Sequence, residues 1–247
     1  MLQGIEKHRE SQKLGRVMSV MCYGPQSGKP VLVFPSQNGH LGDFDAFHMT
    51  DAIAPWIESG QVQLFCVDSV DEETVSDVTG DPYGRIRRYE AWYDYIMEEL
   101  IPWIRTENTS GKAILSTGVS MGAYHAANFF FRRPDVFDSV IALSGVYDTV
   151  DMYAGYSDEL VYLNSPIQSL RGLPQGHPYF QLYAQCKIII CVGQGAWEEP
   201  LLASTRILDQ VLREKQIAAW VDYWGYDVNH DWPWWQKQLP YFLPYVL

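Results

Sequence analysis

Ser120 lies between two glycines, where a strand-like stretch gives way to a helix-like one. The stretch "AILSTGVSMGAYHAANFF" (113–130) contains the pattern G-x-S-x-G from Gly118 to Gly122. A serine on such a sharp strand-to-helix turn needs small neighbours on both sides, because larger side chains would collide with the adjacent strand and helix. The free N–H groups at the start of the following helix favour negative charge beside it. The pattern and its context predict that Ser120 is a nucleophile.

A serine hydroxyl becomes a good nucleophile only when a neighbouring base accepts its proton. Two histidines lie well beyond Ser120 in the chain, His177 and His230. His230 follows the last predicted strand and precedes the closing helix, in a loop that should return over the carboxyl edge of the sheet. We therefore predict His230 as the base, with His177, in an irregular segment, as the alternative. His125 comes five residues after Ser120 on a helix and is expected to pack inside the protein.

An acidic residue is expected to orient the imidazole and to stabilise its protonated form. In the chain order that accompanies a G-x-S-x-G turn, this acid lies between the serine and the histidine. The stretch "KIIICVGQGAWEEP" (187–200) leaves a predicted strand and offers Glu198 and Glu199. We favour Glu198 and keep Glu199 as an alternative, since one of the two glutamates could cap the following helix. Asp148, which also follows a strand end, is a second alternative.

The negative oxygen that forms during acyl transfer needs two backbone N–H donors. Met121, directly after the nucleophile, is expected to supply one of them. The loop after the predicted strand 30–36, "PSQNGHLGDF" (35–44), is expected to supply the other. Gln37 is the favoured position in this loop, and Asn38 is the alternative. The sequence therefore predicts an oxyanion hole formed by the N–H groups of Met121 and Gln37.

Alternating strand and helix patterns must position these residues. Predicted strands, short and rich in β-branched and aromatic residues, cover 16–24, 30–36, 62–69, 112–118, 138–145, 187–193 and 217–224. Predicted helices cover 47–60, 85–107, 121–133, 199–216 and the closing segment 232–247. Apolar strands that alternate with helices indicate an α/β fold, with a mostly parallel central sheet and helices on both faces. Segment 150–184 breaks this alternation and is expected to be an excursion over the active-site rim.

Composition indicates which kinds of partner and location the protein is expected to have. The chain has 247 residues and a net charge of −12, which does not suit nucleic acid, whose phosphates bind clustered Lys and Arg. The N-terminus is polar and no apolar run approaches the ~20 residues that span a bilayer, so we expect a cytoplasmic protein without a membrane partner. The four cysteines form no C-x-x-C pair and are interpreted as buried free thiols. With no linker or repeat, the chain is predicted to form a single domain, 1–247, compatible with a homo-oligomer.

Several stretches resemble a known family, the Putative esterase branch of the α/β-hydrolase superfamily. This branch includes esterase D (S-formylglutathione hydrolase), feruloyl esterases and mycolyltransferases. The similar stretches are "EELIPWIR" (98–105), "GVSMGAYHAANFFFRRPDVFDSVIALSGVYD" (118–148), "GQGAWEEP" (193–200) and "NHDWPWW" (229–235). The resemblance implies an α/β-hydrolase fold in which a serine hydrolyses esters or thioesters, with no metal and no organic cofactor.

Carried over by motif, the family's nucleophile falls on Ser120, its histidine on His230, and its acid on Glu198 or Glu199. One departure concerns the first oxyanion loop: many members carry His-Gly there, whereas this chain reads "FPSQNG" (34–39). The predicted function is therefore that of a serine carboxylesterase-type hydrolase acting on a small-molecule ester or thioester through an acyl-enzyme on Ser120. The alternatives are an acyltransferase, in which an alcohol replaces water, and a catalytically silent binding module of the same fold.

Overall fold

An eight-stranded sheet forms the frame of the molecule in a computed structural model, which describes residues 2–247. The strands are β1 (Ile5–Ser11), β2 (Arg16–Tyr23), β3 (Lys29–Phe34), β4 (Val62–Val67), β5 (Ile114–Val119), β6 (Phe137–Leu143), β7 (Lys187–Val192) and β8 (Trp220–Tyr223). They lie side by side in the order β1-β2-β4-β3-β5-β6-β7-β8. The β1–β2 and β2–β4 pairs are antiparallel, and all pairs from β4 to β8 are parallel. The prediction of a mostly parallel sheet is confirmed.

The first strand is the one that the sequence pattern does not predict. β1 forms a hairpin with β2 that pairs Ile5 with Cys22 and Ser11 with Arg16. All of its residues except Ser11 are exposed. A strand that covers no core needs no alternation of apolar and polar residues, so its sequence, "IEKHRES", lacks the signal by which strands are recognised. β1 is held by the ladder of backbone hydrogen bonds to β2.

Helices cover both faces of the sheet, as predicted. They are α1 (Asp43–Ala46), α2 (Met49–Ala52), α3 (Ala54–Glu58), α4 (Pro82–Asp94), α5 (Ile101–Glu107), α6 (Met121–Arg132), α7 (Glu159–Leu163), α8 (Pro166–Gly172), α9 (Tyr179–Tyr183), α10 (Glu199–Glu214) and α11 (Trp232–Phe242). A π-helical turn, Tyr95–Leu100, joins α4 and α5 into one helix. The helix predicted over 47–60 is instead divided into α2 and α3, because Ile53 is not helical and Pro55 has no N–H to continue the first helix. Within residues 2–247, none of the helices combines the length and the apolar character needed to cross a membrane.

A hydrophobic core lies on each face of the sheet, and strand β3 contributes side chains to both. All six of its residues are buried, and successive side chains of a strand point to opposite faces of the sheet. Leu32 and Phe34 pack in the core that also contains Trp92 of α4, whereas Val31 and Val33 pack in the core beneath α3 and α11. Fully burying one large apolar side chain contributes about 1.5–3 kcal/mol. The two cores therefore fix the sheet, and with it the carboxyl ends of the parallel strands.

The excursion after β6 packs against the helices that flank the sheet. In this described part of the chain, segment 150–184 holds a 3₁₀ turn, Asp151–Tyr153, and three short α-helices, α7, α8 and α9, but no strand. α8 packs against α6 and α10, and α7 packs against α4. The hydroxyl of Tyr124 on α6 donates to the Asn164 carbonyl at 2.9 Å. The excursion therefore begins at the carboxyl edge of the sheet and supports α6 from the side.

Candidate active site

The turn between β5 and α6 holds Ser120 in a conformation that few residues other than glycine adopt. Its φ is 56° and its ψ is −122°, and its N–H donates to the Leu143 carbonyl on β6 at 2.9 Å. A Cβ atom on Gly118 would collide with the backbone of Gly122, and one on Gly122 would collide with the Phe34 carbonyl at the end of β3. Backbone strain of this kind persists only where the surrounding structure fixes it. The crowded crossing of β3, β5 and α6 therefore presents the Ser120 hydroxyl at the carboxyl edge of the sheet.

The loop between β8 and α11 carries His230 to the serine. The backbone N–H of His230 donates to the Ala196 carbonyl at 2.9 Å, and the Ala196 N–H donates to Asn229 Oδ1 at 2.8 Å. These two bonds join this loop to the loop that leaves β7. The Nε2 atom of His230 lies 2.9 Å from Ser120 Oγ. At this distance the serine O–H can donate to a neutral imidazole, which is the geometry required of a general base.

Glu198 lies on the other side of the imidazole and is fully buried. Its Oε2 atom is 3.4 Å from His230 Nδ1, and its Oε1 atom accepts the Ser144 hydroxyl at 2.6 Å. The indole N–H of Trp235 donates to Ser144 Oγ at 3.2 Å, and the Trp235 ring meets the imidazole edge-on with 4.9 Å between ring centroids. Each carboxylate oxygen therefore has its own partner. An Nδ1–H directed at Glu198 leaves Nε2 free to accept the serine proton.

The sequence alternatives to the predicted acid and base lie in other surroundings. Glu199 is exposed at the first position of α10. Asp148 accepts hydrogen bonds from a hydroxyl and an amide at the start of α8, at 3.2 and 2.8 Å. His177 lies in the excursion, where its Nδ1 accepts a backbone N–H of α9 at 3.2 Å. The structure thus brings Ser120, His230 and Glu198 together. The side chains of the three alternatives, Glu199, Asp148 and His177, form no hydrogen bond with that group.

Two elements next to the serine turn offer backbone N–H groups without protein acceptors. Within residues 2–247, the N–H groups of Met121, at the start of α6, and of Gln37, in the loop after β3, donate to no protein atom. Gly122 lies against the carbonyls that end β3, so this loop starts beside the first turn of α6. The Asn38 N–H, in contrast, donates to Asp71 Oδ2 at 3.1 Å. Both N–H groups of the predicted pair are therefore free of protein acceptors, whereas that of the alternative, Asn38, is already used.

Three residues in these contacts are not among those predicted from the sequence. Ser144 directly follows β6 and has a φ of 57°, so its place at a strand end is the one cue that could have pointed to it. Trp235 and Asp71 reach the site only through the fold, because each contacts a residue that is distant in the chain. His125, which we expected to pack inside, is fully buried.

Two weak acids near the site are kept neutral by their surroundings. Cys191 on β7, whose carbonyl accepts the Ser144 N–H at 2.7 Å, is fully buried, and burial raises the pKa of its thiol well above the usual value. Burial likewise raises the pKa of the Tyr147 hydroxyl. Near neutral pH neither group supplies an anion that would compete with Ser120 as a nucleophile. Across residues 2–247, no cluster of three or more His, Cys, Asp or Glu side chains is arranged to hold a metal ion.

Aromatic side chains extend from the imidazole to the surface. Trp232 meets Trp235 edge-on at 5.1 Å and stacks face to face on Phe47 at 4.2 Å, both measured between ring centroids. Trp197, directly before Glu198, has a φ of 67° and projects into solvent. Phe47, Trp232 and Trp235 therefore form an apolar cluster beside the imidazole.

Solved structures with similar architecture span nearly the whole chain. A ferulic acid esterase is 16% identical with a TM-score of 0.76, over 98% of this chain and 97% of that chain. The S-formylglutathione hydrolase from Agrobacterium tumefaciens is 14% identical with a TM-score of 0.74, over 99% and 95% of the two chains. A fluorophosphonate-binding serine hydrolase from Staphylococcus aureus is 16% identical with a TM-score of 0.69, over 99% and 98%. At such identities these likenesses show a shared α/β-hydrolase fold.

The family of this protein is shown by a match to a protein-family model, not by these structures. The model of the family described as Putative esterase matches residues 11–246. No curated protein matches the sequence. Because the family model extends across nearly all of a chain that has the α/β-hydrolase fold, this protein belongs to the Putative esterase family and is a serine carboxylesterase-type hydrolase.

Proposed function

We propose that this chain hydrolyses a carboxylic ester or thioester of a small molecule through an acyl-enzyme on Ser120. His230 accepts the serine proton, and Glu198 orients the imidazole and stabilises its protonated form. The N–H groups of Met121 and Gln37 hold the negative oxygen of the tetrahedral intermediates. The observation that carries the proposal is the 2.9 Å separation between His230 Nε2 and Ser120 Oγ.

Two half-reactions use the same imidazole. In the first, Ser120 Oγ bonds to the carbonyl carbon while its proton passes to His230 Nε2. The bond to the leaving alcohol or thiol then breaks, and that group takes the proton from His230. In the second, water attacks the acyl-serine and gives a proton to His230, which returns it to Ser120 Oγ as the carboxylic acid departs. The imidazole therefore acts once as base and once as acid in each half.

The buried position of Glu198 supports this sequence of steps. Protonation of His230 creates a positive charge beside a carboxylate from which water is excluded, where charge interactions are stronger than in bulk solvent. The two backbone donors act on the opposite charge, which develops on the substrate oxygen. Losing one such donor typically raises the barrier by about 3 kcal/mol. The site thus pairs each developing charge with a group of opposite polarity that is already in place.

The direct test combines labelling and turnover. The wild-type protein is treated with a fluorophosphonate and analysed by mass spectrometry, and hydrolysis of 4-nitrophenyl acetate is measured for the wild type, S120A, H230A and the control S169A. Ser169 is a serine of α8 whose hydroxyl donates to the Ser165 carbonyl. We expect one adduct, on Ser120, and a fall in kcat of about 10⁶-fold for both S120A and H230A, because the residues act as a unit. S169A should keep wild-type turnover.

Two results would contradict the proposal. One is turnover by folded S120A close to that of the wild type, which would mean that another group attacks the ester. The other is a fluorophosphonate adduct on a different residue while Ser120 stays unmodified. Circular dichroism of each variant separates a loss of chemistry from a loss of fold.

A further inference from the structure

Asp71 is a fully buried carboxylate that touches two elements of the candidate active site. Its Oδ2 atom accepts the backbone N–H of Asn38, in the loop after β3, at 3.1 Å. Its Oδ1 atom lies 3.0 Å from Nε2 of His125, which is also fully buried, on α6. One side chain therefore bridges the loop that contains Gln37 and the helix that begins at Met121.

A second hydrogen bond lies on the far side of His125. Its Nδ1 atom lies 2.9 Å from the hydroxyl of Tyr89, which is fully buried. Burial raises the pKa of Tyr89 well above its usual value, so the hydroxyl keeps its proton and can donate it to Nδ1. The Asp71 carboxylate can only accept, which fixes the direction of both bonds. The imidazole then carries its own proton on Nε2, where Asp71 accepts it. A continuous chain thus runs from Tyr89 through His125 to Asp71 and on to the Asn38 N–H.

The loop on the other side of this chain is held at neighbouring points. Asn38 has a φ of 57°, a left-handed conformation, and the Gly39 N–H closes a turn on the Ser36 carbonyl at 2.9 Å. The side-chain amide of Gln37 donates to Ser76 Oγ at 2.9 Å. Because Asn38 follows Gln37 directly, the bond to Asp71 fixes the peptide plane next to the free Gln37 N–H. The orientation of that N–H is therefore set from the segment that contains Asp71 and Ser76.

We propose that Asp71 is a positioning residue that locks the two oxyanion donors, the N–H groups of Gln37 and Met121, into one geometry. The two donors belong to different elements, and the Asp71 carboxylate joins both elements, the loop through Asn38 and α6 through His125. The inference rests on the proposed function, since it concerns groups that act on the substrate oxygen. It adds a residue that does not touch substrate but determines how well the negative oxygen is held.

A carboxylate suits this position because both of its oxygens accept hydrogen bonds. In D71N one oxygen becomes a donor. If the new amide faces Asn38, two N–H groups meet and the loop is released. If it faces His125, the imidazole must accept and move its proton to Nδ1, against the hydroxyl of Tyr89. The near-isosteric substitution therefore disturbs the bridge while keeping the side-chain volume.

Amide exchange in the wild-type protein tests the bridge without any substitution. The Asn38 N–H lies in an exposed loop, where an amide without a partner exchanges rapidly with solvent. We expect protection of the Asn38 amide in NMR-detected hydrogen exchange, and rapid exchange of the neighbouring Gln37 amide. Rapid exchange at Asn38 would overturn the proposal, whatever the fate of the variants.

Kinetics of D71N test the consequence for the oxyanion. We expect kcat for 4-nitrophenyl acetate to fall by about tenfold or more, because a donor displaced by a fraction of an ångström stabilises the transition state less, with KM nearly unchanged. Affinity for a trifluoromethyl ketone, which forms a tetrahedral oxyanion on the serine, should fall by the same factor as kcat. D148N is the matched control, because Asp148 also binds two side-chain donors but lies in the excursion. It should keep wild-type values.

The outcomes separate this inference from the proposed function. If wild-type protein is labelled at Ser120 and hydrolyses the ester, but folded D71N keeps kcat and ketone affinity, Asp71 is not a positioning residue and the proposed function stands. In a second case, kcat of D71N falls, KM rises by a similar factor, and ketone affinity weakens only as much as KM does. The role of Asp71 is then a general structural one, and the inference is again overturned. If the wild type is neither labelled nor active, the proposed function itself fails.

Discussion

At the scale of single residues, the neighbouring glutamates 198 and 199 show how position decides chemistry. Both side chains are the same, yet Glu198 is fully buried with each oxygen engaged, while Glu199 faces solvent. The difference arises because α10 begins at Glu199, so Glu198 still belongs to the loop that leaves β7. The hydroxyl of Ser144 takes one oxygen of Glu198 and leaves the other to the imidazole of His230. A carboxylate held in this way has a single orientation from which to serve the base.

Substituting the two glutamates in parallel tests this reading. E198Q keeps the shape of the side chain but removes its charge and can turn an N–H toward His230 Nδ1, which favours the wrong tautomer. We expect kcat to fall by about 10³–10⁴-fold, as when the acid of a triad is converted to its amide. E199Q should behave as the wild type. Similar mild losses in both variants would contradict the assignment and would direct attention to Asp148.

At the scale of elements, the crossing of β3, β5 and α6 determines whether the Ser120 hydroxyl is held at the carboxyl edge of the sheet. Phe34 at the end of β3 pairs in register with Gly118 of β5, and Gly122 brings the first turn of α6 against the same strand end. No side chain fits between these backbones. The turn that carries Ser120 therefore depends on three elements, and Gly118 and Gly122 allow them to approach this closely.

G122A is expected to disrupt this crossing. The added methyl group would meet the Phe34 and Pro35 carbonyl oxygens, both backbone atoms that cannot move aside. We expect a loss of several kcal/mol of stability, or failure to fold, together with loss of fluorophosphonate labelling. Thermal unfolding and labelling measure the two effects.

G84A provides the matched control. Gly84 lies in the first turn of α4, and an added Cβ there would make only an ordinary contact with the side chain of Asp81, 3.5 Å away. Alanine is the better helix former by up to about 1 kcal/mol, so this variant should be at least as stable as the wild type and fully labelled. Equal stability of G84A and G122A would show that the backbones around Gly122 leave room for a methyl group, which contradicts the close crossing.

Local patterns and long-range contacts differ in how far the sequence reveals them. The glycine spacing around Ser120, and the strand ends that precede Glu198 and His230, are local, so those three residues could be named from the sequence. The sequence favours Glu198 but leaves Glu199 open, because the choice depends on the residue at which α10 begins. The bridge from Asp71 to Asn38 joins residues 33 positions apart, and the bond from Ser144 to Glu198 joins residues 54 positions apart. No spacing rule links such pairs before the fold is known.

At the scale of the whole molecule, charge is divided between the two edges of the sheet. The segments that follow the parallel strands at the carboxyl edge are 35–42, 68–81, 144–158, 193–198 and 224–231. None of them contains Lys or Arg, and all except the first contain Asp or Glu. The opposite edge mixes both signs. Lys29 at the start of β3 pairs with Asp138 at 2.6 Å, Arg133 before β6 pairs with Asp135 at 2.7 Å, and three further lysines lie before or at the start of strands, Lys112, Lys187 and Lys215. The loops that follow the parallel strands around Ser120 therefore bring acids and no cations of their own, although Arg16 of β2 pairs with Glu73 in one of them, in a chain whose net charge is −12.

This division predicts discrimination by substrate charge. A substrate that bears a carboxylate is repelled from the acidic edge, and salt weakens the repulsion, because the screening length falls from about 30 Å at 0.01 M to about 8 Å at 0.15 M ionic strength. We expect kcat/KM for a carboxylate-bearing aryl ester to rise several-fold over this range. The value for the neutral ester of the same length should stay constant.

Two charge reversals test whether the effect belongs to the carboxyl edge rather than to net charge. D227K changes an exposed residue three positions before His230, and E58K makes the same change in charge at an exposed residue just before β4, at the opposite edge. At low ionic strength, D227K should raise kcat/KM for the anionic ester and reduce its dependence on salt, while E58K should have much the smaller effect, because the interaction weakens with distance and with screening. Equal gains in the two variants would assign the discrimination to net charge alone. No gain in either, together with a salt-independent kcat/KM, would mean that the acidic loops do not act on the substrate as it approaches Ser120.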